Sequence, residues 1–398
     1  MSLFRRAAFL WTLAGTGTLI SCESSGPSDE QPEFTQVIAG SGSTCALTPQ
    51  GAAYCWGRLF APEPGPSTPP DTLASSLRFQ DLSLAANIFG AAICGVTTEL
   101  QAYCWGTLLI GYDGGLVLGN VPQRIGAGLS FATMRLASRH FCGLTPAGAA
   151  YCGGDYRGGV RGTGQAVAEF AAPDLSPNPV AGGLTFTDLA VGLGTSCGLD
   201  PSGAAHCWGS EVALGNPEAV LTALEECGYT VPPFFGRCSH IPVPVAGGHS
   251  FTHLAAGQTH VCGITAQSEV FCWGGNEAGQ LGGGDTLYAA VPVRAQLPEA
   301  ALAITAGSGF TCAIVATRQA YCWGNSHVGQ TGSGRTEAAV LLPNPVAGGF
   351  HYRAISAGES HVCALRVSGE VYCWGSNFTG ELGTGDIAQS VVPRRVQF

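Results

Sequence analysis

The sequence predicts an all-β protein: a seven-bladed β-propeller of four-stranded blades, with one disulfide hairpin per blade. Seven cysteine pairs, each with nine residues between the partners, punctuate the chain: Cys45 and Cys55, Cys94 and Cys104, Cys142 and Cys152, Cys197 and Cys207, Cys262 and Cys272, Cys312 and Cys322, and Cys363 and Cys373. Six of the second cysteines are followed by Trp-Gly, at Trp56, Trp105, Trp208, Trp273, Trp323 and Trp374, and the third by Gly153. Glycine (59) and proline (24) are frequent, as many short strands joined by turns require. A unit repeated at fixed spacing marks a repeat architecture, and four short strands per unit arranged radially make a propeller.

The hairpin is clearest in the last unit. A largely apolar run, Val362 to Val367, leads into Ser368-Gly369 and then a second run, Val371 to Trp374. Gly369 suits a turn position of positive φ. The two cysteines lie about equally far from the turn, so they face each other across the ribbon, where opposed Cβ atoms are close enough for a disulfide. Zinc sites use closely spaced Cys-x-x-Cys or Cys/His clusters, absent here, so disulfides and an oxidising compartment are the expectation. Each bridge closes a loop of about eleven residues, worth roughly 2–3 kcal/mol in the chain-entropy model. Of the 17 cysteines, Cys227 and Cys238 form an eighth candidate pair and Cys22 is left over.

Arg5 and Arg6 precede an apolar run, residues 7–20, too short for a membrane span and typical of an export signal. Leu19-Ile20-Ser21-Cys22 resembles the lipobox of bacterial lipoproteins, which implies cleavage after residue 21 and lipidation of Cys22. The competing reading is an ordinary secretory signal that contains a cysteine. Residues 22–33 are polar and turn-rich and read as a flexible tether; residues 34–398 form the propeller. Acyl chains would hold the protein on a bilayer, at the outer membrane if the source is Gram-negative and otherwise at the cell surface.

Each unit opens with a short strand such as Phe186-Thr-Asp-Leu-Ala-Val-Gly192 or Phe251-Thr-His-Leu-Ala-Ala-Gly257, continues through the hairpin and a loop, and reaches a Pro-Val segment such as Val291-Pro-Val293. First cysteines lie from 48 residues apart (Cys94 to Cys142) to 65 (Cys197 to Cys262). Phe34-Thr-Gln-Val37 begins a unit without a preceding Pro-Val strand, and Val392-Pro-Arg-Arg-Val396 is such a strand with no unit after it. Pairing of the N- and C-terminal strands would close the ring and remove open edges.

The later units resemble the regulator-of-chromosome-condensation repeat family. Ala256-Gly257, His260-Val-Cys262, Phe271-Cys-Trp-Gly274, Asn276 and Gly279-Gln-Leu-Gly282 follow its pattern, as do Thr311-Cys-Ala-Ile314, Tyr321-Cys-Trp-Gly-Asn325, Tyr372-Cys-Trp-Gly375, Asn377, Gly380 and Leu382-Gly383. The resemblance implies a seven-bladed propeller over residues 34–398. The first four units depart after Trp-Gly, where the Asn-x-x-Gly-Gln-Leu-Gly loop is lost. The family's founder is an exchange factor for the Ran GTPase on chromatin. A net charge of −10, with no lysine and all 17 basic residues arginine, argues against nucleic acid. Fold is a poor guide to activity.

Candidate chemistry is sparse. Gly194-Thr-Ser-Cys-Gly198 matches a nucleophile-elbow pattern, but Ser196 lies in a β repeat without the required helix. His140, His260 and His361 each stand two residues before a hairpin cysteine; they could bind metal in a channel, and hydrogen bonding to their own blade's turn is the plainer reading. The recurring tryptophans suit packing between blades. Gly282-Gly-Gly-Asp285 and Gly383-Thr-Gly-Asp386 read as turns, not calcium sites. Asn377-Phe-Thr379 is a glycosylation sequon in form only. No cofactor and no catalytic set is expected.

The irregular part of the repeat follows the second cysteine in units one to four: residues 58–70, 107–120, 154–177 and 210–241. These share one point in the repeat, so they should emerge on one face. They carry Phe60, Tyr112, Tyr156, Arg157, Arg161, Phe234, Phe235 and Arg237, residue types enriched at interface hot spots, and a bridge between Cys227 and Cys238 would stiffen the longest. The expectation is a monomeric, non-catalytic cell-envelope lipoprotein whose propeller binds another protein through these loops. The alternatives are a secreted enzyme inhibitor, of the kind seen in a β-lactamase-inhibiting propeller, and a carbohydrate-active enzyme whose catalytic set is not visible in sequence.

Overall fold

The structure is a computed structural model and describes residues 32–59, 71–73, 76–87, 90–108, 116–155, 157–165, 174–218, 225–226 and 236–398. Pro32–Phe398 is one compact unit. Seven antiparallel sheets succeed one another, each made of strands consecutive in the chain. In the last, Tyr352–Ala357 pairs with His361–Arg366, which pairs with Val371–Gly375, which pairs with Ser390–Arg395. Blade four adds a short fifth strand, Glu225–Glu226, outside Arg237–Pro244.

The second and third strands of every blade form the expected hairpin, and the cysteines stand in direct register across it. All seven expected bridges are formed. Cys45 is bonded to Cys55, Cys94 to Cys104, Cys142 to Cys152 and Cys197 to Cys207. Cys262 is bonded to Cys272, Cys312 to Cys322 and Cys363 to Cys373. The Cα atoms of each pair are 4.0–4.1 Å apart, the close approach that direct register dictates. The eighth candidate pair is half visible: Cys238 is disulfide-bonded, and Cys227 lies outside the described residues.

Gly369 holds φ 104° in its hairpin turn; Leu100, Ser268 and Arg318 take the matching positions in other blades at φ 62–68°, where a side chain is strained. The glycine of Trp-Gly also has a structural cause. Gly274 has φ 101°, and a Cβ there would lie 2.5 Å from the Thr259 carbonyl oxygen. The register with the fourth strand shifts between Cys272 and Gly274, where the fourth strand carries two extra residues between Ala289 and Val293.

The first strands of all seven blades line a central channel of about 370 Å³. Their unpaired edges are satisfied by side chains of the preceding blade: Asp81 Oδ2 accepts from Met134 N (3.0 Å), Ser83 Oγ from Leu136 N (2.9 Å), Thr305 Oγ1 from Ala357 N (2.9 Å) and Ser356 Oγ from Ala39 N (3.0 Å). Fourth strands form the rim, and Pro242, Pro292, Pro343 and Pro393 lie within them. Proline cannot donate to a ladder, so it blunts an edge against pairing with another chain.

Among the described residues there is no single core. Apolar side chains gather into seven clusters, one at each contact between neighbouring blades, and each contains the disulfide of one blade. At six contacts that disulfide meets the tryptophan of the next blade. Cys45 and Cys55 pack with Trp105, Cys142 and Cys152 with Trp208, Cys197 and Cys207 with Trp273, Cys262 and Cys272 with Trp323, and Cys312 and Cys322 with Trp374. Cys363 and Cys373 of the last blade pack with Phe34 and Trp56 of the first. Blade three, which lacks the tryptophan, differs: Cys94 and Cys104 of blade two meet Phe131, Met134 and Phe141 instead. Phe141 stands in register with Gly153 and is buried; a Cβ on Gly153 would lie 2.5 Å from the Phe141 ring. The aromatic has moved to the opposing strand, and the glycine makes room for it.

The ring closes differently from the sequence expectation. Ser390–Arg395 pairs within its own blade, and Gln36–Ala39 begins the first, so the two terminal strands share no sheet. The Pro-Val segment is the fourth strand of the unit it follows, which leaves both end units complete. Closure comes from packing of faces. Phe398 lies 4.9 Å from Phe34 and 5.7 Å from Trp56, ring centre to ring centre, and Arg353 donates to the Phe34 carbonyl.

Candidate functional site

Because strands alternate in direction, the first-to-second turns and the third-to-fourth connections of every blade emerge on the same face. The insertions of blades one to four belong to the latter class, as the repeat phase implied. The channel mouth on this face is lined by Ser41, Ser138, Gln258, Ser308 and Glu359.

These connections first tie neighbouring blades together. The tryptophan indole of each later blade donates to a carbonyl in the connection of the blade before it: Trp208 to Val160 (2.9 Å), Trp273 to Ala213 (3.0 Å), Trp323 to Gln280 (2.8 Å), Trp374 to Gln330 (2.9 Å) and, across the ring closure, Trp56 to Glu381 (2.9 Å). The last glycine of the loop seats the indole; a Cβ on Gly282 would lie 2.7 Å from Trp323 Nε1. Asn276 secures the loop base: its Nδ2 donates to the Asp285 and Leu287 carbonyls, and its Oδ1 accepts from Leu281 N. Asn377 does the same in blade seven and is buried, which leaves the sequon without an accessible acceptor.

Blades three and four keep this clasp under other sequences. Gly159-Val-Arg-Gly162 and Val212-Ala-Leu-Gly215 occupy the places of Gly279-Gln-Leu-Gly282. The loop read as lost is therefore present in both, and the insertions follow it. The signals were Gly159/Gly162 and Leu214-Gly215.

The three histidines bond across blades, not to their own turns. Nε2 of His140 lies 2.7 Å from Ser196 Oγ, that of His260 2.9 Å from Thr311 Oγ1, and that of His361 2.8 Å from Thr44 Oγ1. Each hydroxyl donates its single proton onward to the carbonyl that also accepts the tryptophan: Ser196 to Val160 (3.3 Å), Thr311 to Gln280 (2.9 Å) and Thr44 to Glu381 (2.8 Å). The hydroxyl thus accepts from the imidazole, which fixes the neutral Nε2–H tautomer. Burial holds all three imidazoles down to about 4 from an ordinary 6.5, opposed by the Asp155 carboxylate at His140 and by Glu381 at His361. Ser196 beside His140 looks like a nucleophile and its base, but both are fully buried and the hydroxyl proton is committed to Val160. Among the described residues no group of three His, Cys, Asp or Glu is placed to hold a metal ion.

Of the residues expected to bind a partner, Phe60, Tyr112, Tyr156, Phe234 and Phe235 lie outside the described residues, as does Cys22, the expected lipidation site. Arg157 is largely buried and grips Asp155 through Nε and Nη2 (both 3.1 Å). Arg161 belongs to the blade-three clasp, in the place of Leu281, and is half-buried. Arg237 is exposed at the start of its strand, opposite Glu226 and beside the bonded Cys238. Sequence reasoning missed the apolar residues presented on the same face by blades five and seven. Leu287 (72% exposed), Tyr288 (54%), Phe378 (63%) and Ile387 (54%) all lie in third-to-fourth connections. The signal was available: large apolar side chains inside loops that otherwise follow the repeat.

Residues 251–280, 302–330 and 352–381, and by a second profile 267–314 and 368–398, match the family described as "Regulator of chromosome condensation (RCC1) repeat". The ultraviolet-B receptor UVR8 of Arabidopsis thaliana is 30% identical over 175 residues, which are 41% of this chain and 40% of the receptor. The chain therefore matches less than half the length of that relative. Human WBSCR16 superposes with a TM-score of 0.71 at 18% identity, over 87% of this chain and 94% of its own. Yeast RCC1 (Prp20), solved with Kap60 bound, gives 0.69 at 17% identity, over 100% and 91%. At such identities the structural likeness establishes the fold alone. The fold is a seven-bladed propeller, and the matches to the RCC1 repeat lie in its blades five to seven.

Proposed function

We propose that the chain is a non-catalytic binding module that receives another protein on the face of its third-to-fourth connections. The observation that carries this reading is the set Leu287, Tyr288, Phe378 and Ile387, large apolar side chains held in solvent by loops whose bases are pinned. Exposed apolar groups on a pinned frame can be buried by a partner at little ordering cost. Arg237, exposed at the start of blade four's fourth strand, lies on the same face. Protein binding also accords with two solved structures of one relative, yeast RCC1 (Prp20), one with Kap60 bound and one described with its binding properties toward Gsp1p and histones. None of these partners is carried over.

The setting in this reading is outside the reducing cytosol. Seven buried hairpin disulfides support an oxidising compartment, and the Leu19-Ile20-Ser21-Cys22 segment supports export and lipid anchoring at Cys22. Recovery of partners by the immobilised protein tests the face. Serine at Leu287, Tyr288, Phe378 and Ile387 together should abolish recovery, and serine at Val367, which is exposed on the opposite face, should not. Undiminished recovery with the fourfold variant excludes this face. Metabolic labelling with a fatty acid tests the anchor: label lost in Cys22→Ala supports it, and an unlabelled parent protein rules it out.

A further inference from the structure

The histidine bonds follow a pattern that the repeat does not require. Blades three, five and seven carry histidine two residues before the first cysteine, and blades four, six and one carry Ser196, Thr311 and Thr44 one residue before theirs. Contacts three/four, five/six and seven/one therefore contain a four-part relay: imidazole, hydroxyl, loop carbonyl, indole. Contacts four/five and six/seven have the indole bond but no imidazole, with Thr195 and Val261 at one and Phe310 and Val362 at the other. In each relay the carbonyl belongs to the connection of the histidine's own blade, so the relay fastens the loops that form the proposed binding face.

We infer that this face is gated by acid: protonation of His140, His260 and His361 releases the connections of blades three, five and seven, while those of blades four and six stay fastened. The inference rests on the loop-face reading only for its functional consequence, release of the partner. A second proton must go to Nδ1, and at His140 and His260 that atom is buried with no hydrogen-bond partner among the described residues. The protonated ring is therefore accommodated only where water reaches it, in the opened contact. The charged groups facing each ring differ. Asp155, held by Arg139 and Arg157, faces His140; Glu381, bonded to Ser376 Oγ (2.6 Å) and Thr379 N (2.7 Å), faces His361; among the described residues no charged group acts on His260.

A ring near 4 when closed and 6.5 when open is neutral in the closed contact and charged in the open one between those values. Lowering the pH to 5 then raises the open-to-closed ratio of such a contact about 30-fold. Pulsed hydrogen exchange of the full chain at pH 7.5 and pH 5, corrected for intrinsic rates, reads this without a partner. Loop peptides covering 276–288 and 377–389 should lose protection by that order, and those covering 211–218 and 327–336 should not. In His260→Gln the blade-five loop alone should lose its response. Uniform loss in all connections, or none in any, overturns the inference. If the His260→Gln protein does not fold, the contrast between blades five and seven and blades four and six in the parent still decides it. Selective loosening with no release of a recovered partner at pH 5 upholds the gate and removes the binding face.

Discussion

The exchange of aromatic and glycine in blade three gives the sharpest test of how neighbouring blades pack. Val261 opposes Trp273 and Val362 opposes Trp374, whereas Phe141 opposes Gly153. Phe141→Val opens a void in a fully buried contact. Phenylalanine-to-alanine changes in cores cost about 3–5 kcal/mol, and valine keeps part of the volume, so about 2–3 kcal/mol is expected. Gly153→Trp meets the opposite fault, because a first carbon there is already 2.5 Å from the ring of Phe141. Overpacking of this kind costs about 1–3 kcal/mol or more. The double variant restores the arrangement of blades five and seven, and Gly153 is not among the positive-φ glycines, so its backbone accepts a side chain. It should be more stable than either single variant, with a coupling of about 2 kcal/mol or more. Urea unfolding with the disulfides intact measures all three. Additive losses would refute the view that the two positions share one volume.

Three further outcomes follow from the same geometry. Gly358→Ala should destabilise by more than about 2 kcal/mol in urea, because its Cβ would fall 1.9 Å from the Gly40 carbonyl oxygen at the ring closure. Arg318→Gly should raise stability by up to about 1 kcal/mol in the same assay by relieving a left-handed side chain at φ 68°. Trp323→Phe should fold normally yet cost about 1–2 kcal/mol, since the indole bond to Gln280 is lost while Thr311 still satisfies that carbonyl; unchanged stability would mean the clasp is ornamental.

Cysteine spacing and Trp-Gly made the hairpins legible, because a disulfide needs direct register and register follows from distance to the turn. The tryptophans were legible as packing residues, since a repeated large side chain must meet the next copy of its own unit. What escaped were relations between non-adjacent residues. A histidine's partner in the next blade lies some fifty positions away, as with His260 and Thr311, and no local pattern marks it. The clasp of blade three was hidden because its working groups are a backbone carbonyl at Val160 and a glycine seat at Gly162, which tolerate almost any intervening side chain. Closure was misjudged by one strand of phase. Val392-Pro-Arg-Arg-Val396 carries equal sequence evidence as the end of one unit or the start of the next, and only its hydrogen bonds to Val371–Gly375 decide between them.

Photocrosslinking by face bears most directly on the proposal that one side of the ring meets another protein. A photoreactive residue placed singly at Leu287 or Phe378, and on the opposite side at Val367 or Gln267, would be activated in the cells that produce the protein. A discrete protein adduct from the first two positions and none from the second two is the expected result. Adducts of the same mass from both sides, or from Val367 and Gln267 alone, would contradict it.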